Sequence, residues 1–260
     1  MAFNPLSQGD VTIAITRWKG TRMSESTRAM PRRDSTDTAS QSNSGIDVMA
    51  TFCFVDIAGY TALTDTHGEH AAADLVEDFT RLIRSAVAPH GHVQELAGDN
   101  AFLVFPDPAG AIEAISHLYR EVAGKWDFPA LRTGLHHGPA LYRSKRYFGS
   151  TINLAARTAG HASGGQILCT APVAESLARM ENPTFTIDPV GIVKLKNLPQ
   201  EVALYAVNLL NSRQRVIDPV CQMQVDKITA AAEQEFKGRR YWFCSRGCSD
   251  RFAHNPSDFV

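Results

Sequence analysis

No stretch of this 260-residue chain comes near the roughly 20 consecutive apolar residues that a bilayer-spanning helix needs. The N-terminal residues also lack the apolar core of a secretory signal. Charge of one sign is missing too: 26 Lys and Arg against 27 Asp and Glu give a formal net charge of −1, so nothing draws the whole chain towards nucleic acid or an anionic lipid surface. Cysteine is sparse and odd in number, five in all, which argues against a disulfide framework. These absences lead us to expect a cytoplasmic chain with neither a nucleic-acid nor a membrane partner. Residues 1–46 are poor in aromatics and rich in Ser, Thr and Arg, a composition that buries too little apolar surface to offset the entropy of ordering. We read them as a disordered arm holding at most a short strand over 11–15, with Met23 and Met30 as alternative starts and a regulatory or targeting role as the alternative.

From Met49 onward the pattern is that of a folded domain, and 44% hydrophobic content suffices for one full core plus a small extra module. An apolar strand over 50–55 leads to a helix with Leu75, Phe79, Leu82, Ile83 and Ala86 on one face. Apolar runs at 93–96 and 101–105 flank Gly98-Asp99 and predict a hairpin. Ala111, Ile112, Ile115, Leu118 and Val122 mark a second helix, and 131–135 a fourth strand. The order β-α-β-β-α-β is the ferredoxin-like split arrangement, an α+β class. Further on we expect a helix over 150–159, a strand at 166–169, a helix at 171–180 and closing strands near 185–187 and 202–207. Polar residues 211–215 read as a linker.

The chemistry concentrates at two acids. Asp56 ends the first buried strand, and Asp99 sits in the tight turn between the next two. Two carboxylates at neighbouring strand ends suit a pair of hard divalent cations and a polyphosphate. Backbone N–H groups over 57–61, entering a turn before a helix, are suited to cradling phosphate. Asn153 and Arg157 are four apart on an expected helix and project from one face. His90 and His92 flank a glycine, and His136-His137 are read as lying in a strand-end turn; surface or turn roles are the plainer reading for both pairs, with metal binding the alternative. Cys53 and Cys169 fall in expected strands and are assigned to the core.

Asp56-Ile57-Ala58-Gly59-Tyr60-Thr61, Ala97-Gly98-Asp99 and the run from Gly149 through Asn153 to Arg157, with Gly134-Leu135-His136-His137-Gly138 between them, resemble the signature blocks of class III nucleotidyl cyclases. The resemblance covers about residues 47–209. It implies that a ribose 3′ hydroxyl attacks the α-phosphate of ATP or GTP and that pyrophosphate leaves. It assigns two Mg²⁺ or Mn²⁺ ions to Asp56, Asp99 and the adjacent Ile57, and nucleotide contacts to Gly59, Tyr60 and Thr61. Asn153 would orient the ribose and Arg157 meet charge developing on the α-phosphate. Lys196 lies where the family usually has a phosphate-binding Lys-Gly, although Asn197 replaces the glycine and Lys194 is an equally basic neighbour. In the family the aspartates and the Asn/Arg pair come from different subunits; one chain carrying both sets implies a homodimer with sites across its interface.

At the base-selecting positions the chain departs from that pattern. Glu95 stands where adenylate cyclases usually have Lys, and Arg146 where they usually have Asp or Thr. A carboxylate suits the N1–H and amino donors of guanine, and a guanidinium suits its O6. The pair therefore favours GTP, while family members of this simple architecture mostly use ATP. Glu95 and Arg146 pairing with each other is a further reading. A non-catalytic nucleotide- or metal-sensing regulator on the same fold is the alternative function, and metal trafficking a third.

A second resemblance covers 218–260. Asp218-Pro219-Val220-Cys221-Gln222-Met223, then Tyr241-Trp242-Phe243-Cys244-Ser245-Arg246-Gly247-Cys248, then Asn255-Pro256 is similar to the YHS domain. Cys244 and Cys248, four apart in a stretch able to turn helical, converge with Cys221 into a three-thiol set. Such a set suits zinc or copper, and a core this small would gain folding free energy from metal. His254, Met223, water or a group from outside the module is left to supply a fourth ligand; buried cysteines in an aromatic core are the alternative to metal binding. The expected layout is an arm at 1–46, a cyclase domain at 47–209, a linker at 210–217 and a YHS domain at 218–260.

Overall fold

The structure is a computed structural model that describes residues 45–125, 128–210 and 215–260. The expectations for the arm at 1–46 lie almost entirely outside these residues, as does most of the 211–215 linker.

β1 (Ile46–Ile57) is the axis of the fold. It lies between β3 (Asn100–Phe105) and β4 (Leu131–Arg143), antiparallel to both. Side chains alternate across a strand, so Cys53, Val55 and Ile57 enter one core while Ala50 and Phe52 enter another. From Ala50 to Ile57 the strand is covered on both faces, which is why that stretch is mostly apolar. The sheet runs β2-β3-β1-β4-β6-β8-β7, with β2 (His92–Ala97), β6 (Ile167–Thr170), β7 (Phe185–Val193) and β8 (Val202–Leu209). β5 (Arg146–Phe148) folds back on the far end of β4 through Ser144 and Lys145, both at positive φ. This is the ferredoxin-like order the sequence predicts, extended by a hairpin its pattern does not reveal.

The helices divide unequally between the two faces. α2 (Glu69–Val87), α3 (Pro108–Gly124) and α5 (Ala171–Leu177) bury Phe79, Ile83, Ile115, Leu118 and Val173 in the larger core. α3 starts cleanly because Asp107 accepts the Gly110 N–H and Pro108 opens the first turn. Among the described residues, α4 (Ser150–His161) is the one helix that covers the other face. It crosses β4 so closely that a Cβ on Gly134 would lie 2.0 Å from the Ala159 nitrogen. The helix expected after β1 is two: α1 (Tyr60–His67) ends at Gly68, whose φ of 87° breaks the run before α2 begins. His136 and His137 lie within β4, not in a turn at its end, because the strand continues through Gly138 to Arg143. Their Nδ1 atoms bond Thr170 Oγ1 (2.6 Å) and Thr51 Oγ1 (2.9 Å).

From Val216 the chain forms a ribbon of β9 (Val216–Ile217) and β10 (Gln224–Val225), a hairpin of β11 (Ala232–Phe236) and β12 (Arg239–Phe243), and α6 (Arg246–His254). Val220, Cys221, Phe243, Cys248 and Phe252 make its own small core. This module docks through backbone bonds, Ala130 N–H to Gln222 O (2.8 Å) and Gln224 N–H to Phe128 O (3.3 Å), and Met223 packs against both cores.

Candidate functional site

Asp56 is the penultimate residue of β1, on the face that α4 only partly covers. The Ile57 N–H bonds Asp99 O (3.0 Å), which pins the Gly98-Asp99 turn against the end of β1 and brings the two acids together. Gly98, at φ 59°, makes that turn possible. Asp56 is buried at 8% exposure. Burial raises its pKa, the neighbouring Arg132 guanidinium offsets this, and the Asp99 charge adds to the rise. Arg132, opposite Asp56 on β4, donates both Nε and Nη2 to Asp56 Oδ2. The sequence reading missed this partner because strand register across 76 residues is not visible in local pattern.

The carboxylates of Asp56 and Asp99, with the end of β1 at Ile57, form an oxygen-rich donor set. The mutual repulsion felt by Asp56 is what a divalent cation would relieve, so these residues fit a hard metal. The turn behind them is narrower as a phosphate cradle than the sequence suggests. Ile57 N–H is taken by Asp99 O and Ala58 N–H by Ala130 O (2.9 Å). Donors therefore begin at Gly59 (φ 69°) and run through Tyr60 and Thr61, the first turn of α1, where a helix has no internal acceptors for its N–H groups.

Glu95 on β2 faces Phe102 on β3. Together with Phe54, Ala97, Asn100 and Ile152 of α4 these two residues line a cavity of about 290 Å³. Phe54 and Phe102 stack with ring centroids 4.6 Å apart and only 2° between planes, an apolar floor beside the acids. Asn153 and Arg157 are both exposed on α4, one turn apart. Arg146 is exposed on β5, and no ion pair joins it to Glu95 among the described residues. The reading in which those two neutralise each other is therefore not supported. Lys196 is exposed in the loop after β7, between buried Leu195 and Asn197 at φ 61°.

In the C-terminal module the three thiols do converge: Sγ separations are 3.4 Å for Cys221–Cys244, 3.7 Å for Cys244–Cys248 and 3.6 Å for Cys248–Cys221. Buried Asp218 holds the two cysteine turns together, accepting from Val220 N–H (2.9 Å) and Cys244 N–H (2.8 Å). Ser245 caps α6 by accepting the Cys248 N–H (3.1 Å). The neighbouring Cys221 and Cys244 lower the pKa of Cys248. His254, at the far end of α6, instead turns Nδ1 to the Asp250 carbonyl (2.7 Å). The side chain that joins the thiols is His67 of α1, with Nε2 3.6 Å from Cys244 Sγ. The sequence reading did not name it; a lone histidine 154 positions before Cys221 carries no spacing signal. Cys53 and Cys169 are fully buried core residues, and burial pushes the Cys169 thiol up to about 12.

The family model of the adenylate and guanylate cyclase catalytic domain matches residues 110–209, and that of the YHS domain matches 216–260. A pH-sensitive adenylate cyclase (MT1302) of Mycobacterium tuberculosis is 31% identical over 158 residues, which is 60% of this chain and 40% of that protein. An adenylate cyclase of Streptomyces griseus is 33% identical over 128 residues, 48% of this chain and 32% of its own length. The chain thus spans well under half of either relative. Adenylate cyclases of Trypanosoma brucei, solved in their monomeric state, share the fold with TM-score 0.57 at 24% identity, over 68% of this chain and 93% of theirs. Residues 110–209 therefore form part of an adenylate/guanylate cyclase catalytic domain, and a YHS domain follows it in the same chain.

Proposed function

We propose that residues 47–209 form a nucleotidyl cyclase that converts a nucleoside triphosphate to its 3′,5′-cyclic monophosphate and pyrophosphate. The observation that carries this reading is the backbone tie from Ile57 to Asp99, which sets two carboxylates at one sheet edge beside a cavity with a stacked aromatic floor. Two Mg²⁺ or Mn²⁺ ions held by Asp56, Asp99 and Ile57 would supply activation of the 3′ oxygen and neutralisation of the triphosphate. Gly59, Tyr60 and Thr61 offer their N–H groups to phosphate at the start of α1. Asn153 orients the ribose, and Arg157 meets charge as it develops on the α-phosphate; both are exposed, as groups awaiting a substrate are. Lys196 reaches the outer phosphates.

The active form is a homodimer. The end of the sheet supports this: Ile46 (45% exposed), Met49 (60%) and Phe148 (49%) leave apolar surface on β1 and the β4–β5 hairpin. Five free cysteines fit a reducing, cytoplasmic compartment.

Glu95 and Arg146 stand at the base-selecting positions. Glu95 presents an acceptor to the cavity, which favours guanine. The adenylate cyclase names of the relatives favour ATP as the second reading. Product analysis with ATP and GTP in parallel, with Mn²⁺, tests both. Cyclic GMP in excess supports the polarity of Glu95 and Arg146, and cyclic AMP in excess supports the relatives. Bound nucleotide without product from either would show a regulator, not an enzyme.

A further inference from the structure

His67 lies at the end of α1, in the cyclase domain, yet its Nε2 and the Sγ atoms of Cys221, Cys244 and Cys248 all lie within 4.8 Å of one another. A tetrahedral zinc site with bonds of about 2.3 Å to sulfur and about 2.0–2.1 Å to nitrogen has S···S edges near 3.8 Å and S···N edges near 3.6 Å. The three S···S separations are 3.4, 3.6 and 3.7 Å, and the Cys244–His67 separation is 3.6 Å. Four of the six edges thus match a coordination tetrahedron, and the other two, from His67 to Cys221 and Cys248, are no longer than 4.8 Å. Two of the cysteines are buried, while His67 and Cys244 are half-buried, so the site is closed on one side and reachable on the other.

We infer that Cys221, Cys244, Cys248 and His67 form one four-coordinate zinc site whose fourth ligand comes from the cyclase domain, so that the cation clamps the YHS module onto α1. The donor set selects the metal class: three thiolates and an imidazole suit zinc and offer nothing to Mg²⁺ or Ca²⁺. The support around the ligands is already built, with Asp218 holding the turns of Cys221 and Cys244 and Ser245 holding Cys248.

The clamp acts on both ends of α1. At its last turn, Arg251 of the module donates to Thr66 Oγ1 (2.6 Å), beside His67. At its first turn, Gln222, next to Cys221, packs against Gly59 so closely that a Cβ there would lie 2.6 Å from Gln222 Cγ. α1 joins the metal ligand to the turn that follows Asp56, and zinc occupancy therefore fixes the position of that turn. The metal site itself stands without the nucleotide reading; only the consequence for turnover rests on it.

The full-length chain tests the inference. Purified protein should retain one zinc per chain after dialysis, and Co²⁺ exchanged into the site should show intense tetrahedral ligand-field bands with thiolate-to-cobalt charge transfer. Losing an outer-shell partner costs about 10–100-fold in metal affinity, so His67→Ala should weaken zinc by at least roughly 100-fold in chelator competition and alter the cobalt bands. His67→Cys should restore tight binding with a four-thiolate spectrum. Hydrogen exchange separates the clamp from a site confined to the module. In wild type, zinc should protect 60–67 and 241–248; in His67→Ala, zinc should protect 241–248 alone. A wild-type chain that holds no zinc overturns the inference. So do a His67→Ala chain with unchanged affinity and spectrum, a His67→Cys chain that binds no better than His67→Ala, and equal protection of α1 in wild type and His67→Ala.

Discussion

The two reactive regions of the chain are built in opposite ways. Around Asp56 the groups are spread along a sheet edge and one helix, with Asn153 and Arg157 exposed and the aromatic floor open above. Around Cys221 the groups are drawn together until their donor atoms nearly touch. The first arrangement is open, as the proposed nucleotide and second subunit would require. The second leaves room for one ion. Closure, more than residue type, separates a place where chemistry passes through from a place where something stays.

The contrast breaks most sharply at Asp56. Asp56→Ala should reduce cyclic nucleotide formation by at least about 1,000-fold while nucleotide remains bound, measured by product chromatography beside a binding titration. Retained turnover would remove the acids from the reaction. Arg157→Ala should cost about 10²–10³ in kcat with little change in KM. Mixing the Asp56→Ala and Arg157→Ala chains sharpens the point. If each site draws on two subunits, heterodimers carry one intact site, and about a quarter of wild-type activity should return. No recovery would place both groups in one chain's site.

A smaller effect is expected from the base pocket. Glu95→Lys combined with Arg146→Asp, both exposed until a base covers them, should shift the ratio of ATP to GTP turnover towards ATP by about tenfold, the low end of the roughly 1–3 kcal/mol that an unpaired polar group costs. An unmoved ratio would mean that the cavity beside Phe54 and Phe102 does not hold the base.

The least effect concerns the scaffold under the open region. Burial depresses the pKa of His136 from its ordinary 6.5 to about 4. The unfolded chain therefore binds the proton more readily, and the stability that neutral His136 gives is present above about pH 6.5 and lost as pH falls towards about 4. The thermal midpoint should drop over that interval, and His136→Gln should flatten the drop.

What the sequence disclosed followed the range of the signal. Amphipathic period marked α2 and α3, the buried run marked β1, and Gly98-Asp99 marked the β2–β3 hairpin, because each is written within a few neighbouring residues. The α1–α2 break was missed since Gly68 interrupts the backbone without interrupting the apolar pattern. β5 was missed because three residues are too few to show a period. Arg132, Gln222 and His67 were missed for a different reason: each acts across a fold-level distance on a partner that local pattern cannot name. The family blocks named Asp56 and Asp99, which the fold brings together at the end of β1. The closed region needed geometry.

One consequence follows from the place of His67. A cluster whose corners are divided between two modules cannot be inherited by either one alone. Grafting residues 216–260 onto a cyclase domain from a different protein would carry the three sulfurs and leave the nitrogen behind, unless the recipient happened to end its first helix on histidine. In other fusions of this kind, that single imidazole is the mark that would tell a welded pair from two neighbours sharing a tether.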